Sequence, residues 1–126
     1  MDTQENSIFQ YDLALDELGA VLQELSNNIR KGFDYFGTRY EERGYFLILS
    51  NIDIMLTLCQ RYETVPDLES TEIQTWKQDF HDTFVRSFDK ESSSQDGRDR
   101  QKAIVSATFG RLLRIVREYE DETNLW

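Results

Sequence analysis

Cysteine and histidine occur once each in this chain, as Cys59 and His81. A lone cysteine excludes an internal disulfide, and the pair supplies too few ligands for zinc, haem or an iron–sulfur cluster. No serine stands in a glycine-framed elbow. No glycine-rich phosphate loop is present, because Gly32, Gly37 and Gly44 are scattered through helical text. No cofactor is therefore expected. Proline occurs once, at Pro66, and glycine six times in 126 residues, so breaks are few and long elements are expected. The most apolar run, 45–62, is interrupted by Ser50, Asn51 and Asp53, which makes it a poor membrane span. Basic residues are outnumbered, 14 to 24, and the net charge of −10 disfavours nucleic acid and anionic membranes as partners. The opening MDTQENSIFQ lacks the basic start and apolar segment of a signal peptide. With the lone cysteine, that points to a reducing, cytoplasmic setting.

What the chain does have is helical periodicity. In 45–62 the residues Tyr45, Ile48, Leu49, Ile52, Met55, Leu56, Cys59 and Tyr62 share one side of a helix, with Leu47, Ile54 and Leu58 beside them. A helix apolar over more than half its circumference needs more than one neighbour, so this stretch is expected at the centre of a bundle. Upstream, Tyr11, Leu15, Leu18, Leu22, Leu25, Ile29, Phe33 and Phe36 step by three and four, behind a box-like Ser7 and Gln10. Gly37 is placed to stop that helix, and Thr38 with Glu41 forms a second capping box. Downstream, Ile73, Trp76, Phe80, Phe84 and Phe88 make an aromatic stripe that follows a Thr71–Gln74 box. Ile104, Val105, Thr108, Phe109, Leu112, Ile115, Val116 and Tyr119 lie on the inner side of a last helix.

The expected architecture is all-α. It is one domain, 1–126, folded as an antiparallel up-down four-helix bundle with a long N-terminal hairpin. The helices are expected at about 8–36, 39–62, 71–90 and 98–119, with a flexible connector at 91–97. The last two would be shorter than the first two, leaving apolar surface that a second copy could cover. Residues 1–29 hold six acids and no base, whereas residues 98–117 hold six bases and one acid. An antiparallel arrangement would set Asp12, Asp16 and Glu17 beside Arg111, Arg114 and Arg117.

Few residues suggest chemistry. Cys59 lies on the apolar stripe, as an inert buried thiol does. Glu69 with Glu72, and Asp79 with Asp82, place carboxylates one turn apart, the spacing of helical Mg-dependent nucleotide hydrolases. Asp82 can instead pair with Arg86, and Glu69 and Glu72 can serve a helix N-terminus. The densest feature is the hairpin turn, where Phe33, Tyr35, Phe36, Tyr40, Tyr45 and Phe46 interleave with Arg30, Lys31, Arg39 and Arg43. Such rings either seal the end of the bundle or form a docking tip, with Tyr35, Phe36, Arg39, Tyr40 and Arg43 as its contacts.

The function expected from these features is a non-enzymatic protein-interaction module: an adaptor, regulator or inhibitor, and a homodimer. One version is an acidic antidote to a basic partner, with Asp12, Asp16, Glu17 and Glu24 as the negative face. Two other expectations stand beside it: a carboxylate–magnesium hydrolase built on Glu69, Glu72, Asp79 and Asp82, and a small nucleic-acid-binding subunit that uses the basic fourth helix and the aromatic tip.

Overall fold

Apolar residues spaced by three and four fold as the helices they predict. A computed structural model describes the backbone of residues 3–90 and 95–124, and the side chains of residues 15–86 and 97–123. The chain forms α1 (Thr3–Asp34), α2 (Glu41–Tyr62), α3 (Ser70–Lys90) and α4 (Gln95–Asn124), with no strand among the described residues. None of these helices is long and apolar enough to cross a membrane.

The helix ends differ from the expectation, each for a local reason. Ser7 lies inside α1, which begins at Thr3; Gln and Glu, both good helix formers, carry the helix through that polar start. The end of α1 tightens, with the Tyr35 N–H donating to Gly32 and the Phe36 N–H to Phe33, before Gly37 turns left-handed at φ 80. The Thr38–Glu41 capping box does not form. Thr38 Oγ accepts from the Tyr40 N–H at 3.1 Å, and Glu41 is engaged by the Tyr45 hydroxyl at 2.6 Å. At its far end α2 stops at Glu63, which takes a left-handed φ of 51. The expected connector overlaps α4, which already starts at Gln95; residues 91–94 lie outside the described residues. At 30 residues against 32 for α1, α4 is not one of two short helices.

The head of α3 is closed by a residue fifty positions away. Glu120 of α4 accepts from both the Ser70 N–H and the Ser70 hydroxyl, each at 2.8 Å. A carboxylate at a helix N-terminus meets unpaired N–H groups and the positive end of the dipole. These bonds hold the Glu120 carboxyl below its ordinary value.

α1 packs chiefly on α2, α3 on α4, and α2 also on α4. Between α1 and α2 the backbones nearly touch. A methyl group on Gly44 would stand 2.5 Å from the Gly32 carbonyl oxygen, and one on Gly32 would stand 2.5 Å from Ile48. Just beyond this crossing, Asn28 donates to the buried Asn51 at 3.3 Å, and Asn51 donates to the Leu47 carbonyl at 2.6 Å. This polar pair is satisfied in only one register of the two helices.

The third element of the interior is aromatic. Phe80 of α3 is fully buried, and its ring centroid lies 5.3 Å from Tyr45, 5.5 Å from Phe84, 5.5 Å from Phe109 and 6.0 Å from Phe36. Phe33 bridges Phe36 and Trp76. Burying a ring of this size contributes about 1.5–3 kcal/mol, with edge-to-face pairs adding to it. Around this junction the core continues through Leu22, Leu25, Ile29, Ile48, Ile52, Met55, Ile73, Leu112 and Val116, whereas Ile104 and Tyr119, expected on the inner side of α4, are exposed. Phe88, also expected in the stripe, has a side chain outside the described residues.

Two predictions test this packing. Gly44→Ala should lower stability to urea by about 1–3 kcal/mol, because overpacking a helix crossing outweighs the gain in helix propensity. Gly19→Ala, where a methyl group meets nothing within 4 Å, should raise stability by about 0.5–1 kcal/mol. Equal effects would remove the close approach from the account of stability. For Glu120, a depressed carboxyl stabilises the fold above its unfolded value, and that contribution is lost as pH falls through its folded value. Thermal melts of Glu120→Gln should therefore fall below wild type at pH 7 and converge with it in acid, as pH falls through the depressed folded value. A gap that persists in acid would contradict the cap.

Candidate docking surface and the groove beside it

The rings in and around the α1–α2 turn divide between the interior and the surface. Phe33, Phe36 and Tyr45 turn inward to the Phe80 junction, so Phe36, expected as a partner contact, is half-buried among other rings. Tyr35, Arg39 and Tyr40 stay at the tip. The Arg39 guanidinium lies 4.8 Å over the Tyr40 ring, and Tyr35 meets that ring edge-on at 6.4 Å. Arg43 is exposed one turn further on, and Tyr40 is 48% exposed.

Bare apolar surface continues along α2. Phe46 is 69% exposed and Ile54 47%, although they belong to the most apolar helix of the chain. Neighbours cover the face of α2 that carries Ile48, Ile52, Met55 and Cys59, and they do not reach these two positions. On α1, Val21 is also exposed, as are Glu17 and Glu24 nearby.

The expected pairing of α1 acids with α4 bases does not take the form of ion pairs among the described residues. Asp16 and Glu17 are exposed and make no ion pair among the described residues; the Asp12 side chain lies outside those residues. Arg111 and Arg114 instead border Asp53, Thr57 and Gln60 in a recess between α2 and α4. Among the described residues α4 packs chiefly on α3 and α2.

The carboxylates considered for magnesium are dispersed too. Glu72 forms a two-pronged ion pair with Arg30 of α1, Nε to Oε1 at 2.8 Å and Nη2 to Oε2 at 3.1 Å, while Arg30 also lies 5.9 Å over Trp76. The hydrogen bond to Glu72 raises the Arg30 pKa above its ordinary value. Asp82 accepts from the Gln78 amide at 2.9 Å rather than pairing its carboxylate with Arg86, whose Nε reaches the Asp82 carbonyl. Glu69 and Asp79 are exposed. Among the described residues no three His, Cys, Asp or Glu side chains converge as a metal site.

A groove between α3 and α4 was not anticipated. Its volume is about 600 Å³, and its walls include Lys77 and His81 of α3 and Lys102, Ser106 and Arg117 of α4. The surplus of bases in 98–117 was legible in sequence. That Lys77 and His81 would face them was not, since it depends on how two helices pair. Comparison with known protein families, with curated proteins and with solved structures finds no match.

Cys59 is 4% exposed, and burial pushes its thiol up to about 11. The thiol is then protonated at neutral pH and is not a nucleophile. Its reaction with a disulfide reagent at pH 7.5 should be more than about a hundredfold slower than that of free cysteine. Denaturant should restore the rate; labelling of the native protein at the free-cysteine rate would contradict this burial.

Proposed function

We propose that this chain is a non-enzymatic helical interaction protein that acts as an adaptor, regulator or inhibitor of a protein partner. In this reading it is one domain folded as an antiparallel up-down bundle with a long N-terminal hairpin. The order of contacts supports that topology. Asn28 meets Asn51 while Gly32 meets Gly44, so position rises along α1 as it falls along α2. Arg30, Phe33 and Phe36 meet Glu72, Trp76 and Phe80 in ascending order, and Ser70 and Phe80 meet Glu120 and Phe109 in descending order.

The observation that carries the function is the bare aromatic and aliphatic surface of the hairpin. Tyr40, stacked under Arg39, and Phe46 on α2 combine the residue types that dominate protein interfaces, at positions the core does not use. Asp16, Glu17 and Glu24, exposed and without an ion pair among the described residues, favour a basic partner, which they would steer at low salt. The buried lone cysteine suits a cytoplasmic setting.

A second copy is the occupant proposed for the outer side of the hairpin. By helical register, Val21 and Ile54 lie there, with Glu17 and Glu24 on the α1 flank and Arg43 and Arg61 on the α2 flank. A two-fold axis along the helices sets each acidic flank over the basic flank of the other copy.

Affinity capture from the native source, followed by light scattering, tests both parts. Tyr40→Ala with Phe46→Asp should abolish recovery of a protein that wild type retains, and Ile54→Asp should halve the mass of the wild-type particle. Equal recovery by the Tyr40/Phe46 variant would refute the docking surface. A wild-type mass of one chain would refute the dimer.

A further inference from the structure

The groove between α3 and α4 has a charge that the rest of the molecule does not predict. In a chain of net charge −10, Lys77, His81, Lys102 and Arg117 line one recess, with Gln74, Gln78 and Ser106 as polar neighbours and Val105 and Leu113 among its walls. Among the described residues no carboxylate lines it. Arg117 has an acidic neighbour in Glu120, but that carboxylate is occupied by Ser70. Asp82, the acid one turn from Gln78, is held by the Gln78 amide outside the recess. Among the described residues, Lys77, His81 and Lys102 have no hydrogen-bond or ion-pair partner, and both lysines are partly buried.

Like charges gathered in a half-enclosed recess repel one another, and low-dielectric walls strengthen their field. A bound anion reverses the sign of that cost. Ammonium and guanidinium groups with a nearby hydroxyl and amides match the several acceptor oxygens of a phosphoryl group. A volume of about 600 Å³ is of the size that holds a small organic ligand. The negative charge elsewhere on the protein opposes a long polyanion but little affects a compact one, whose charges all lie within the groove.

We propose that the α3–α4 groove binds a small, multiply charged phosphate compound, of about nucleotide size or less, through Lys77, Lys102 and Arg117, with His81 and Ser106 as further donors. This site is separate from the hairpin surface, and its success or failure leaves the docking proposal unaffected.

Inorganic pyrophosphate is the probe, titrated into the full chain at low salt by calorimetry, with sulfate as the control. Pyrophosphate is expected to bind and to do so more tightly than sulfate. Lys77→Gln with Lys102→Gln should weaken binding by about tenfold or more, as the loss of charge-assisted bonds implies. Both positions lie at the groove and outside the core, so the helical circular dichroism should be unchanged; Arg111→Gln with Arg114→Gln, two exposed bases outside this groove, serves as a charge-matched control that should bind like wild type. Absent binding, binding that the lysine variant leaves unchanged, or binding only to a single-stranded oligonucleotide would each overturn the proposal.

Discussion

The burial of Phe80 among rings from every part of the chain is the constraint on which the rest depends. It joins the turn after α1 through Phe36, α2 through Tyr45 and α4 through Phe109. Phe33, Phe36, Tyr45, Phe80 and Phe84 fill the interior at that end. Tyr40, in the turn, and Phe46, on the outer side of α2, stay exposed. Closing the interior at that end and leaving Tyr40 and Phe46 bare thus go together.

The helix bodies were legible in the sequence because burial follows a simple period. Ile48, Ile52, Met55 and Cys59 are buried on α2 as spacing implies, and so are Ile73, Trp76 and Phe80 on α3. The ends were less legible because their partners are not local. Thr71 and Gln74 read as a cap for α3, yet Glu120 supplies it from another helix. Glu41 completes a capping pattern on paper and is taken instead by the hydroxyl of Tyr45 one turn on. A motif states what a side chain can reach along its own segment; competition from tertiary neighbours decides what it does.

Charge was the least transparent signal. The contrast between an acidic start and a basic fourth helix suggested that they face each other, but composition carries no information about which helices touch. Arg30, amid the hairpin aromatics, proved to be the residue that holds Glu72. With that pairing made, one of the four carboxylates considered for magnesium is committed to an ion pair between helices. The unneutralised bases instead gather where α4 meets α3, which gives an acidic protein one positive recess.

Native-state hydrogen exchange followed by nuclear magnetic resonance tests the shared interior most directly. If the Phe80 junction ties all four helices together, the slowest amides around Ile29, Ile52, Phe80 and Leu112 should exchange with one common free energy, equal to that of global unfolding. Amides of α3 and α4 that open several kcal/mol more easily than those of α1 and α2 would contradict a single interior.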